Sequence, residues 1–240
     1  MEQRNRAAAE LLRLCAFLAP DAIPEELLTK GAHELGNALA PVVNDAYLLD
    51  QAFADLRAYS LLVRDPRSRT LTVHRLVQAV VRNSMPTELQ QQWMQRIVSA
   101  VDAAFPGGKF EEWPACERLL PHALICATWM EGEDKPMTAA ARLLTQTGVY
   151  LRERGYYTEA EPLLRRSLAL QEQQLGEAHP DATNTLNNLA ALYYQQGKFG
   201  QAEELYQRSL DLHEQHMGRD HPATATSLSN LALLYWRQGK

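Results

Sequence analysis

The 240-residue sequence predicts a mainly α-helical fold with one small β-hairpin, on the strength of three observations. Gly155, Gly197 and Gly239 stand 42 residues apart, and the same offset relates Gly176 to Gly218, His179-Pro180 to His221-Pro222 and Leu189-Ala190 to Leu231-Ala232. Apolar residues recur with the helical period along most of the chain. Only around Asp65-Pro66-Arg67-Ser68 does that pattern give way, to the short runs Leu61-Leu62-Val63 and Thr70-Leu71-Thr72-Val73 on either side of turn residues.

Composition narrows the class further. Apolar residues make up 46% and charged residues 22%, the balance of a globular protein and neither of a disordered chain nor of a disulfide scaffold. The apolar run from Leu11 to Pro20 is broken by Arg13 and is far shorter than the ~20 residues that cross a bilayer, so no membrane association is expected. Met1-Glu2-Gln3-Arg4 leads into a helical pattern without the layout of a secretion signal. Cys15, Cys116 and Cys126 form no Cys-x-x-Cys pair, which suits reduced thiols and a cytoplasmic location.

Taken in order, Leu11, Leu14, Cys15 and Leu18 form a first helical stripe that stops near Pro20. A short helix is expected from Pro24 to Lys30, opening near Asp21 or Ile23. A longer one is expected from about Asp45 to Leu61, with Leu48, Leu49, Ala52, Phe53 and Leu56 inward. After the hairpin, His74 to Ser84 reads as helix with Leu76, Val77, Val80 and Val81 buried. Three helices followed by a small basic hairpin are the plan of a winged-helix-like domain, assigned to residues 1–85. Residues 86–139 read as a helical linker. It opens at a capping box, Thr87 to Gln90, continues through Trp93, Ile97, Val101 and Ala104, and breaks at Pro106-Gly107-Gly108. A second linker helix runs from about Pro114 to Met130; its His122 and Cys126 share a face, but with Cys116 they lack a fourth ligand and read as packed, not metal-binding.

Residues 140–240 hold the repeat: two full units and the first helix of a third. In the second unit Leu186, Leu189, Ala190 and Tyr193 form one stripe, and Gly197-Lys198-Phe199 ends that helix. Second helices are expected to open at the capping box Thr158 to Glu161, and at Gly200 with Glu203, and to present Leu205, Tyr206, Ser209, Leu210 and His213 inward. Pro180 and Pro222 suit a helical first turn, and His179 and His221 beside them suit capping. Leu175 to Lys198 reads Leu-Gly-x-x-His-Pro-x-x-x-x-x-Leu-x-Asn-Leu-Ala-x-Leu-Tyr-x-x-x-Gly-Lys. That string resembles the 42-residue tetratricopeptide repeats of kinesin light chains and many bacterial repeat proteins. The resemblance implies an α-solenoid whose first helices line a concave groove for a protein or peptide ligand. The groove positions would be Asn184, Asn187, Asn188, Ala191 and Tyr194, then Thr226, Ser229, Asn230, Leu233 and Trp236, with Arg142, Thr145, Gln146 and Val149 in the first unit. Amides such as Asn188 and Asn230 can both donate to and accept from an extended peptide backbone.

A second resemblance lies upstream. Arg57-Ala58-Tyr59-Ser60-Leu61-Leu62, the hairpin, and Leu71 to Gln78 are similar to the winged-helix region of STAND, or NB-ARC, signalling ATPases. Val73-His74-Arg75 falls where relatives carry Met-His-Asp, with Arg75 in place of the acid. The family's histidine reaches the β-phosphate of ADP, so the resemblance implies that His74 senses nucleotide in a parent protein. The chain itself has no Gly-x-x-x-x-Gly-Lys-Ser/Thr loop, so ADP or ATP is expected only in that parent and this chain is expected to need no cofactor. No catalytic motif is present either, and the chain reads as a non-enzyme cut at both ends from a bacterial protein.

Charge separates the two functional readings. Net charge is −5 overall, yet residues 57–85 carry six arginines against Asp65 alone. A DNA-binding winged-helix regulator with a repeat effector arm would use that island on phosphates. The helix preceding the hairpin, however, carries Asp45, Asp50 and Asp55 against Arg57, which argues against nucleic acid. The favoured reading is a protein-interaction and sensor module of a STAND-type switch. Leu228, Leu231, Leu234, Tyr235 and Trp236 on the last helix raise the further expectation of either self-association through residues 224–240 or a frayed final helix in the monomer.

Overall fold

Helix α1 (Arg6–Ala16) is rich in alanine and leucine, strong helix formers, and buries Leu11, Leu14 and Cys15 completely. The computed structural model describes residues 6–107, 110–130 and 138–240; the expectations for Met1 to Arg4 and for Gly108 lie outside them. After α1 come β1 (Ile23–Pro24), α2 (Glu25–Lys30), a single 3₁₀ turn, α3 (Ala40–Val43) and α4 (Ala46–Ala58). Then follow β2 (Val63–Asp65), β3 (Thr70–Thr72), α5 (Arg75–Asn83), α6 (Thr87–Ala104) and α7 (Trp113–Trp129). Five further helices complete the described residues: α8 (Thr138–Glu153), α9 (Tyr157–Leu175), α10 (Pro180–Gln195), α11 (Phe199–Met217) and α12 (Pro222–Gln238). The class is mainly α, with helical repeats at the C-terminal end. Two units divide the chain, residues 1–143 and 144–240.

In the first unit the expected hairpin gains a third strand. β3 pairs antiparallel with β2, Arg64 opposite Leu71, and on its other edge with β1, Ile23 opposite Leu71. The helix expected from Pro24 therefore begins one residue later: Pro24 ends β1, and its extended backbone (φ −70, ψ 134) stands before the helix. A two-residue strand ending in proline leaves no alternating pattern to read. Among the described residues, the non-glycine residues with positive φ, Ala22, Ser60 and Arg69, all stand shortly ahead of a strand.

Asp45 caps α4 by accepting from the Tyr47 and Leu48 amides at 2.9 and 3.1 Å. Leu49, Ala52, Phe53 and Leu56 are buried as the stripe predicts, but Leu48 is 40% exposed, because it lies in the first turn with its back to the core. The larger correction concerns α5. Leu76 and Val80 were expected inside and are 70% and 69% exposed, Val77 and Val81 are half-buried, and the one buried residue is Gln78. Polar bonding decides this orientation. Gln78 Nε2 donates to the carbonyls of Cys15 and Leu18 at 2.7 and 3.0 Å, and the Arg82 guanidinium donates to the Ala16 carbonyl. Trp129 Nε1 on α7 donates to the Phe17 carbonyl at 2.9 Å, and its ring lies under Arg82. Four successive carbonyls at the end of α1 are thus satisfied by side chains from α5 and α7.

Residues 86–139, expected as a linker, contribute α6 and α7, both packed within the first unit. Pro86, not Thr87, occupies the position before α6 and gives no side-chain cap, while Gln90 Nε2 reaches the Met85 carbonyl. Trp93, Ile97 and Val101 are buried, and α6 crosses α2 so closely that a Cβ on Gly31 would lie 2.7 Å from the Ala100 Cβ. On α7, Cys116, His122 and Cys126 are all buried. Burial pushes the His122 imidazole down to about 4, partly opposed by the Ala22 backbone. The unfolded chain then binds a proton more readily than the folded one, so stability falls as pH drops from 6.5 towards about 4. Denaturant titrations should show a loss of about 2 kcal/mol from this residue between about pH 7 and pH 5. The pH slope of His122→Leu should be shallower by that amount; an equal slope would contradict the assignment.

Candidate functional site

In the second unit the 42-residue period becomes a repeated set of bonds. His179 and His221 stand immediately before α10 and α12, and each accepts through Nδ1 from the amide two residues on, Asp181 or Ala223, at 3.2 Å. Gly155, Gly197 and Gly239 take positive φ at the ends of α8, α10 and α12, a conformation that costs glycine little. The expected capping boxes do not form: the residues before α9 and α11 are Tyr156 and Lys198, neither with a side-chain cap. Glu161 instead reaches forward to the Tyr193 hydroxyl at 3.2 Å and Lys198 Nζ at 3.4 Å, and its 42-residue counterpart Glu203 meets Lys240 Nζ at 3.3 Å. Against its partial burial, Arg165, Tyr193 and Lys198 hold the Glu161 carboxyl below the usual range.

The residues predicted for a groove fall into three environments. Asn184, Thr226, Ser229, Leu233 and Trp236 are exposed, and Trp236 is 72% so. The Thr226 and Ser229 hydroxyls donate back to the carbonyls of Pro222 and Ala225, four residues earlier. Asn187, Asn188, Ala191, Tyr194 and Asn230 are half-buried. Asn188 is engaged within the protein: Arg152 Nη1 donates to its Oδ1 at 3.1 Å and to its carbonyl at 3.3 Å, which leaves the amide nitrogen as the group it can offer outward. Asn187 Oδ1 and Gln146 Oε1 are buried without a partner among the described residues.

The first repeat departs from its counterparts, as its residues foretell. Arg142 is bonded to Asp102 on α6; burial pushes the Asp102 carboxyl up, and Arg142 offsets only part of that. Thr145 lies between helices, its hydroxyl 2.7 Å from Ser167 and 3.0 Å from Thr185, so it is a packing group and not a groove group. Sequence reasoning missed Arg152, although the 42-residue offset from Tyr194 and Trp236 lands on it. Its guanidinium, with Glu153 on the other nitrogen at 2.5 Å, sits close enough to act electrostatically on Tyr206, whose phenol burial pushes up to about 12.

His74 occupies the position before α5 and accepts from the Leu76 amide at 3.2 Å, the same bond that His179 and His221 make. It is exposed and lines a cleft of about 320 Å³ with Pro20, Asp21, Ser60, Val63 and Arg75. Half of the arginines of the basic island around it are engaged from within. Arg64 pairs with the buried Glu25 at 2.5 and 3.1 Å and with Asp50 at 2.6 Å, and Arg69 approaches Glu25 at 3.6 Å. Arg82 is committed to α1. Among the described residues no cluster of His, Cys, Asp and Glu is placed to hold a metal, and no helix is long and apolar enough to cross a membrane.

These helix pairs define a class: the tetratricopeptide repeat model matches residues 139–215 and 184–240, and the C-terminal part of the chain is a tetratricopeptide-repeat array. Residues 1–90 match a family described as a domain of unknown function, DUF7779. Over 140 residues the chain is 36% identical to a nucleotide-binding leucine-rich repeat (NLR)-like protein of Hyaloscypha variabilis, covering 57% of this chain and 14% of that protein. Over 65 residues it is 43% identical to nephrocystin-3 of Xenopus laevis, covering 27% of this chain and 5% of that one. The chain therefore spans a small fraction of the length of both relatives. The crystal structure of BtubC (BKLC) from P. vanneervenii aligns with a TM-score of 0.46 and 19% identity, covering 63% of this chain and 59% of that one.

The paired cap bonds give a direct test. His221→Ala should lose the acceptor for the Ala223 amide and cost about 1 kcal/mol, while His221→Asn should retain most of it. Hydrogen exchange over the first turn of α12 reads the difference; equal protection in both variants would deny the cap its role.

Proposed function

We propose that the chain is a protein-interaction and sensor module of a STAND-type nucleotide-dependent switch, with the repeats binding a peptide or protein segment. The observation behind this reading is the row Gln146, Asn188 and Asn230, amides at equivalent positions of three successive first helices. Each can engage one peptide unit of an extended chain, and Tyr194 and Trp236 at the far end of their helices offer apolar contact. The NLR-like relative supports attachment to a nucleotide switch. The order α1-β1-α2-α4-β2-β3, with β3 central in the sheet, supports a winged-helix reading of the first unit. In that reading His74 senses ADP in the parent protein, the chain is cytoplasmic, and it catalyses nothing itself. The alternative, a DNA-binding regulator, is disfavoured because Glu25, Asp50 and α1 occupy Arg64, Arg69 and Arg82.

Binding of a random peptide library displayed on phage, followed by titration of selected peptides, tests the groove. Asn188→Ala should weaken a selected peptide by about 1 kcal/mol per lost hydrogen bond without lowering Tm. Peptides insensitive to Asn188, Asn230 and Trp236 alike would reject it. For the switch, His74→Ala in a chain that includes a nucleotide module should speed ADP release; an unchanged off-rate would reject that role.

A further inference from the structure

Helix α5 is oriented against its own sequence. Of its nine residues Leu76, Val77, Ala79, Val80 and Val81 are apolar, yet its one buried side chain is Gln78. Leu76 and Val80, one turn apart, form a ridge left 70% and 69% exposed. Tyr59 and Val63, which bracket the approach to β2, are 58% and 67% exposed, and Val63 shares with His74 and Arg75 the cleft of about 320 Å³ at the start of α5. Scattered apolar residues on a surface need no explanation, but four large ones within residues 59–80, with Val63 lining the cleft and Tyr59 and Leu76 next in sequence to the lining residues Ser60 and Arg75, mark an interaction surface.

The charge around this surface selects the partner. Once Arg64, Arg69 and Arg82 are assigned to Glu25 and α1, Arg57, Arg67 and Arg75 remain exposed and make no ion pair among the described residues. Asp21, in the cleft, is the opposing charge there. The exposed edge of β2 is three residues long and runs into Pro66, a poor template for an added strand. A ridge at i and i+4 is instead the surface that packs against another helix. We infer that α5, Tyr59 and Val63 form a docking surface for an acidic amphipathic helix of a partner protein, whose apolar stripe lies on Leu76 and Val80 and whose carboxylates meet Arg75, beside Leu76, and Arg57, beside Tyr59. The orientation of α5 serves this purpose: Gln78 and Arg82 hold the helix from behind by polar bonds and leave its apolar ridge outward.

The test uses the full chain and three fluorescein-labelled, four-turn synthetic helices: leucine stripe with glutamates, leucine stripe with lysines, and glutamates with the stripe replaced by serine. The glutamate–leucine peptide should bind saturably, and binding should weaken about 10-fold in Leu76→Asp/Val80→Asp and comparably in Arg57→Glu/Arg75→Glu or at high salt. Hydrogen exchange should show peptide-dependent protection at residues 59–64 and 75–82. Both variants alter exposed groups, and an unchanged Tm confirms that they fold. Equal binding of the glutamate and lysine peptides, or indifference to the Leu76/Val80 pair, would overturn the proposal. So would a concentration-dependent dimer that Leu76→Asp abolishes, since a second copy would then be the occupant.

Discussion

The carbonyl end of α1 organises the first unit. A helix leaves its last carbonyls without partners, and when that end is buried, water cannot supply them. Here Gln78, Arg82 and Trp129 supply donors from two elements far away in sequence. A cation at this end also meets the negative pole of the helix. Because those donors are fixed on α5 and α7, the orientation of both helices follows from the need to satisfy four backbone oxygens. The apolar residues of α5 are disposed by what remains. Polar satisfaction outranks apolar burial at this point, since an orphaned buried carbonyl costs at least as much as a half-exposed valine.

The repeats obey a different constraint. No single helix pair can bury its apolar faces alone, so each pair must be held in register by bonds that recur with the period. Glu161 with Tyr193 and Lys198, then Glu203 with Lys240, supply such bonds at the outer ends of the helices. Deeper in, hydroxyls do the same: Thr145 with Ser167 and Thr185, and Ser227 with Ser209 and His213.

The repeat was the most legible part of the sequence because its period is redundant: Gly197, His179-Pro180 and Leu189-Ala190 each report the same spacing. The helical stripes of α1 and α6 were legible for a related reason, since Leu11 and Leu14, and Trp93 and Ile97, recur at helical spacing and are all buried. What escaped were features fixed by distant partners. β1 exists because β3 offers it an edge, and nothing local to Ile23 announces that. Glu161, read as half of a capping box, bonds across 37 residues to Lys198. Among the residues expected to line a groove, Asn188 was legible as a surface amide, but its bond to Arg152 depends on how successive units are set side by side.

The clamps of the repeat have a consequence for how such an array changes length. Each unit meets its successor through the same groups at the same offset, Glu161 to Lys198 and Glu203 to Lys240, with a histidine cap restarting α10 and α12. A segment of one period, duplicated or excised by recombination within the gene, presents matching groups at both new junctions. Gain or loss of a whole unit is therefore a milder event for this half of the chain than loss of a few residues, and the array can vary in copy number while its junction chemistry stays constant.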